Sequence, residues 1–286
     1  YIKFTFLGFA VLVHLICVLL IFILGIKKHR DLNSIIIAGG PGFRLNPLTN
    51  EIPKCMVKLF GKSLLERQIN ILRKSGISDI TVVTGYLSEL VNYPNINFIK
   101  NENYKTTNIN EGLFCAKEKL NNSIVCYGDI IYEENVLKQL LQFNGDIGIA
   151  VRSDWEESYK ERTDHPTSEA ENVLIENKKI IKIEKNIVKK KLDQQLTEFL
   201  GMMKLSKKGS EILLNKYNEL QEFRHKKFHN ASSLDTAYIT DMLQELIDSG
   251  IEIKPIVIDG IWNEIDTIQD FEIVKKRLAN VKFFTS

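Results

Sequence analysis

The amino-acid sequence predicts an α/β fold, a doubly wound and mostly parallel sheet preceded by one transmembrane helix. Three observations lead there. Short β-branched runs at 34–37 (SIII), 79–84 (DITVVT) and 123–127 (SIVCY) recur between stretches of helical period, the alternation that builds a parallel sheet covered by helices. These runs lead into glycine turns, at Gly39, Gly85 and Gly128-Asp129, and ligands of such sheets bind at the carboxyl ends of the strands. Ahead of them, residues 4–26 form a run of 23 without a formal charge.

That run comes first in order. At about 1.5 Å per residue a helix of this length crosses a hydrocarbon core of about 30 Å. A core helix at a domain edge is not expected to be apolar all round. No small-x-small site follows to mark a cleaved signal peptide. Lys27, Lys28, His29 and Arg30 come next, against Lys3 alone on the other side. The excess of cations within a basic linker, 27–32, predicts a single-pass membrane location with the domain 33–286 in the cytoplasm. The sequence opens on Tyr1, which suggests a missing upstream part, such as further spans or a lipid or head-group transferase domain.

After the first strand, residues 64–75 carry Leu64, Leu65, Ile69 and Leu72 at helical spacing, and Gly76 stops them. Strands follow at 79–84 and 96–99, a helix at 108–120, and a strand at 123–127. The second half reads as a strand at 146–151, a polar segment at 154–171, and a hairpin turning at Asn177-Lys178. A strand at 199–205, helices at 207–217 and 235–249, strands at 251–258 and 261–265, and a closing helix at 269–278 complete the chain. The net charge of +2 over 286 residues carries no field for nucleic acid. Four scattered cysteines (Cys17, Cys55, Cys115, Cys126) argue against a disulfide framework or a zinc site. His225 and His229, four apart without a third ligand, read as basic surface.

The stretch 34–62 is organised around phosphate chemistry. Glycines after a strand let backbone N–H groups approach an anion, Arg44 offers a forked donor, and Lys54 a mobile point charge. There is no Walker spacing and no dinucleotide fingerprint. The longer string, GGPGFRLNPLT, then Pro53-Lys54, then FGKSLLERQI, resembles the signature of nucleotidyltransferases that activate sugar phosphates and phosphocholine-like alcohols. It departs from the usual pattern at Pro41 and at Ser63, and neither change removes a charge. The resemblance implies a Rossmann-like nucleotidyltransferase fold, with Ala38, Gly39, Gly40, Gly42, Arg44 and Gly85 around the nucleotide and Arg44 and Lys54 in catalysis.

Magnesium takes one or two carboxylates together with substrate phosphates. Asp129 in CYGDI and Asp266 in WNEIDT match the family's pair, so the resemblance implies that they hold Mg2+; a helix cap is the alternative for each. Glu264, two residues before Asp266, suits a supporting role. In TTNINEGLFCA, Asn108 and Gly112 match the positions that read a pyrimidine, leaving CTP or UTP open, and an Asn helix cap competes for Asn108. The stretch 154–173, with TEFLGMMKLSKKG and AYITDMLQELIDSG, resembles cytidylyltransferases for phosphocholine and especially 2-aminoethylphosphonate. Their acceptors carry a cationic amine, for which Glu169, Glu171, Asp241 and Trp262 are candidates. Ordinary surface acid, an exposed helix face and core packing are the competing readings. The sequence thus suggests CMP transfer from CTP to a small phospho- or phosphono-aminoalcohol, with pyrophosphate released. A sugar-1-phosphate or inositol-phosphate enzyme and an inactive nucleotide-binding membrane regulator are the alternatives.

Overall fold

Residues 31–285 are described by a computed structural model. Its strands are β1 (Asn33–Ile37), β2 (Lys58–Leu59), β3 (Lys62–Ser63), β4 (Ile80–Thr84), β5 (Asn97–Lys100), β6 (Ser123–Tyr127), β7 (Ile130–Tyr132), β8 (Ile147–Arg152), β9 (Glu171–Glu176), β10 (Lys179–Lys185), β11 (Gln195–Leu205), β12 (Lys254–Val257) and β13 (Trp262–Glu264). Nine of them form one sheet, ordered β10-β9-β11-β6-β1-β4-β5, with β8 on β11 and β12 on β8.

The expectation of a mostly parallel sheet is corrected to a mixed one. β6, β1, β4 and β5 run parallel, as do β8 and β12, but β11 is antiparallel to β6, β8 and β9. The cause is local. Asn177 and Lys178 both take left-handed backbone (φ 52° and 62°), a tight turn that makes β9 and β10 an antiparallel hairpin, and β11 then docks against β9.

The expected transmembrane helix is also corrected, and with it the single-pass membrane location. Among the described residues no helix is long and apolar enough to cross a membrane. The stretch 4–26 and most of the basic linker lie outside the described residues.

Packing explains the β1–β4–β6 core. Ile35, Ile36, Val82, Val83, Ile124 and Val125 are almost wholly buried, each contributing about 1.5–3 kcal/mol of transfer free energy. The helix Leu64–Lys74 lays Leu65, Ile69 and Leu72 on this core. Ser63 caps it by accepting from the Glu66 N–H at 2.9 Å, and Gly76 ends it at φ 83°. A second apolar cluster, Leu45, Leu59, Leu64, Ile131, Ile265 and Phe271, joins the glycine loop to the helix Ile268–Leu278.

Two expected helices start or stop elsewhere. The one expected over 108–120 ends at Cys115 and continues as a 3-10 turn. The one expected from Asp235 begins at Ile239, because Asp241 accepts the Tyr238 N–H and fixes that N-terminus. β7 and the helix Glu134–Gln142, which periodicity did not single out, matter for the site. β7 pairs with β13 so that Glu264 stands opposite Ile130, next in sequence to Asp129.

Candidate active site

β1 ends beneath a cleft of about 480 Å³ at the carboxyl ends of the parallel strands. The Ala38 N–H still bonds to the Val83 carbonyl at 2.8 Å, and then the chain lifts away through Gly39, Gly40 and Pro41. Gly42 takes a left-handed φ of 67°, and a Cβ there would stand 2.7 Å from Lys54 Cβ, so only glycine fits. The Thr49 hydroxyl donates to the Gly42 carbonyl at 2.8 Å and holds the loop. Gly85 is equally constrained, since a Cβ there would lie 2.5 Å from the Gly39 carbonyl oxygen. Ala38, Gly39, Gly40, Gly42, Arg44, Asn108 and Gly112 line the cleft, whereas Gly85 packs behind it.

Lys54 is buried at the floor. Its ammonium donates to Asp129 Oδ2 at 2.6 Å and to Asp266 Oδ1, while Arg44 Nη2 donates to Asp266 Oδ2. Asp129 and Asp266 are thus brought together by one cation. Burial alone would lower the lysine's affinity for its proton; Asp129, Asp266 and Glu264 together raise it instead. Burial works against Asp266 too, but Lys54, Arg44 and His165 hold its carboxyl below the usual range. Burial, with Asp266 and Asp129 nearby, pushes Glu264 well above its own. The loop carrying Asp266 is itself fixed: Asp270 Oδ2 accepts from the Asp266 and Thr267 N–H groups at 3.1 and 2.9 Å, and Arg162 Nε donates to Asp270 at 2.7 Å.

Asp129 Oδ1 is buried without a hydrogen-bond partner, and the surrounding donors are hard carboxylate oxygens, which suits a divalent cation. His165, Glu264 and Asp266 also offer ligand atoms within 4.8 Å of one another. No signal in the sequence singled out His165; it arrives from the polar segment 154–171.

Glu171, Glu198, Tyr159, Tyr238 and Trp262 line the same cleft. Glu171 accepts from Thr240 Oγ1 at 2.8 Å and from Tyr127 OH at 3.2 Å, and burial pushes its carboxyl up to about 7. Glu198 accepts from Tyr159 OH, and burial pushes it up to about 7 as well. Trp262 donates its indole N–H to the Leu200 carbonyl at 3.0 Å, with its ring on the cleft. Glu169 lies at the rim and pairs with Lys185 at 3.0 Å. Asp241 is not brought to the cleft: its oxygens take the Tyr238 and Asn230 N–H groups at 2.8 and 3.4 Å. Asn108 does cap its helix, accepting from Ile109 N at 2.8 Å, and its amide donates to Thr236 O at 3.3 Å. Glu198 was missed by sequence reasoning, although a lone acid inside the apolar run TEFLGMM is a signal. Burial pushes the Cys55 and Cys126 thiols up to about 12, so neither serves as a nucleophile.

A glycine loop with two cations, facing paired carboxylates at the carboxyl ends of parallel strands, belongs to the class of proteins that transfer nucleotidyl groups. Residues 34–196 match the MobA-like NTP transferase domain, and the chain belongs to that family and is a nucleotidyltransferase. It is 32% identical over 257 residues to the CTP:phosphoglutamine cytidylyltransferase of Campylobacter jejuni, covering 85% of this chain and 98% of that protein. It is 35% identical over 111 residues to the choline-phosphate cytidylyltransferase of Streptococcus pneumoniae, covering 37% of this chain and 48% of that one. The 2-aminoethylphosphonate cytidylyltransferase of Lancefieldella rimae is 31% identical over 114 residues, 37% of this chain and 46% of that one. In structure, the CTP:phosphocholine cytidylyltransferase LicC of S. pneumoniae superposes with a TM-score of 0.68 at 23% identity, over 86% of this chain and 99% of that one. At that identity the likeness bears on the fold alone.

Proposed function

We propose that the protein is a cytidylyltransferase. It moves CMP from CTP to a small phosphorylated or phosphonate aminoalcohol, of the phosphocholine or 2-aminoethylphosphonate kind, and releases pyrophosphate. The observation that carries this reading is that one cleft is lined both by the loop bearing Arg44 and Lys54 and by Glu171, Glu198 and Trp262. Phosphate chemistry and affinity for an organic cation within one cleft match an acceptor with both groups.

In this reading, backbone N–H groups of Gly39, Gly40 and Gly42 and the Arg44 guanidinium take the β- and γ-phosphates. Lys54 approaches the α-phosphate. Gly112 and Asn108 flank the base. An oxygen of the acceptor's phosphoryl or phosphonyl group attacks the α-phosphorus in line, the bond from that phosphorus to the bridging oxygen breaks, and the electron pair leaves with pyrophosphate. Asp129 and Asp266 would hold Mg2+, with Glu264 in support, and the ion supplies neutralisation of charge on the transferring phosphate. Arg44 and Lys54 are paired with these same carboxylates, so binding of the ion and the phosphates would exchange those ion pairs for new ones.

The test is pyrophosphate release by the full chain with Mg2+, each of the four NTPs, and phosphocholine, phosphoethanolamine, 2-aminoethylphosphonate, glucose-1-phosphate or inositol phosphate. Turnover with CTP and an amine-bearing acceptor, lost in Asp129→Ala, supports the reading. Turnover confined to a sugar or inositol phosphate refutes it.

A further inference from the structure

Two acids of the cleft, Glu171 and Glu198, are not equivalent. Glu171 has a donor on each oxygen, Thr240 on one and Tyr127 on the other. Glu198, only 4% exposed, has a donor on Oε1 alone, from Tyr159. Its Oε2 is buried without a hydrogen-bond partner, although the residue lines the cleft. An orphaned carboxylate oxygen is costly to bury, and the cost is relieved by an N–H or O–H donor. Burial raises both acids, and the charge of Glu171 adds to the rise at Glu198; the Tyr159 hydroxyl, Arg162 and Arg152 act in the opposite sense on Glu198, as Thr240, Lys185 and Tyr127 do on Glu171. Such a pair gains from a cation.

The aromatic rings beside it are engaged already. The Arg162 guanidinium lies 4.6 Å from the Tyr159 ring centroid, and the edges of Trp155 and His165 pack against the same ring. The Lys185 ammonium lies 5.0 Å from the Tyr238 centroid. Two of the rings that would form a cage for a quaternary ammonium thus hold the protein's own cations. A trimethylammonium group also has no N–H and would leave Oε2 unpaired. A primary ammonium group has three donors.

Resting on the cytidylyltransferase reading above, we propose that Glu198, with Glu171 beside it, binds a primary ammonium group of the acceptor and selects it over a trimethylammonium group. Glu198 is then a specificity residue rather than a structural acid, and the reaction on phosphorus is unchanged by it.

The experiment compares phosphoethanolamine with phosphocholine in pyrophosphate release by the full chain, with CTP and Mg2+, for wild type and Glu198→Gln. Wild type is expected to favour phosphoethanolamine by at least about 10-fold in kcat/KM, the range of one charge-assisted hydrogen bond. In Glu198→Gln the KM for phosphoethanolamine rises about 10- to 100-fold. Its KM for CTP stays within about 2-fold, and phosphocholine changes little, so the preference collapses. An equal or greater wild-type rate with phosphocholine overturns the proposal while leaving the cytidylyltransferase reading intact. Equal losses on both acceptors, or a loss of CTP affinity by calorimetric titration, also overturn it, because Glu198 would then act through the fold. Should Glu198→Gln fail to fold, the wild-type preference decides alone. Turnover with glucose-1-phosphate and with neither amine overturns both readings.

Discussion

Replacing Glu198 by Gln changes how stability depends on pH, and the magnitude follows from its burial. Glu198 sits inside β11 among apolar neighbours, and its carboxyl is pushed from the usual 4.5 up to about 7. In the unfolded chain it titrates near the usual value. Between these two values the folded protein holds a proton that the unfolded chain has released, so this group's contribution falls as pH rises. The contribution is fully present below about 4.5 and is lost by the time pH exceeds about 7. A shift of this size corresponds to about 3 kcal/mol, at about 1.4 kcal/mol per pH unit. Gln has no proton to lose, and its carbonyl still accepts from Tyr159. The stability of Glu198→Gln minus that of wild type should therefore grow by roughly 2–3 kcal/mol between pH 5 and pH 8. Other titrating groups largely cancel in the difference; Glu171, which Glu198 repels, shifts it slightly. Urea denaturation at unit steps of pH, with ligand absent, measures it. Curves that stay parallel within about 0.5 kcal/mol would refute the reasoning, because Glu198 would then be solvated in the folded state.

Three further outcomes follow from the site. Asp129→Asn and Asp266→Asn should each lower kcat by about 10²- to 10³-fold in pyrophosphate release, and chelation of divalent ions should abolish turnover in wild type; retention of full activity by either variant would exclude its role. Gly42→Ala should raise the KM for CTP about 10-fold and lower stability by about 1–2 kcal/mol, seen in nucleotide titration and urea melts, since the new methyl meets Lys54; an unchanged KM would show that the loop is free to move. Arg67 donates from Nη2 to the carbonyls of Leu59 and of Phe284, the latter at 3.0 Å. Arg67→Met strands both, and a loss of about 2–3 kcal/mol is expected, against which a loss under about 0.5 kcal/mol would count.

What the sequence makes legible is what depends on neighbours along the chain. β6 falls where SIVCY places it, and the turn at Asn177-Lys178 is where two left-handed residues close the hairpin. The glycine loop is legible as part of the cleft because the strand-to-glycine break and the cations Arg44 and Lys54 are carried by residue identity. The antiparallel insertion of β11 depends on a docking partner far away in sequence, so period alone reads the sheet as mostly parallel. Asp241 shows the same limit: on a helical wheel it faces outward, but the helix begins later than expected and its carboxylate is used as a cap. His165 and Glu198 reach the cleft through tertiary packing of Arg162, Asp270 and Tyr159, contacts without a linear spacing.

The contact between Arg44 and Asp266 joins residues 222 positions apart. During synthesis on a ribosome, the parallel core can form from the first hundred or so residues to emerge after β1, yet the second carboxylate reaches the glycine loop only once β13 has paired with β7. Lys54 and Arg44 therefore spend most of translation without their second acidic partner. A chain broken off anywhere before Trp262 would therefore retain the glycine loop and lack the carboxylate that Arg44 and Lys54 share.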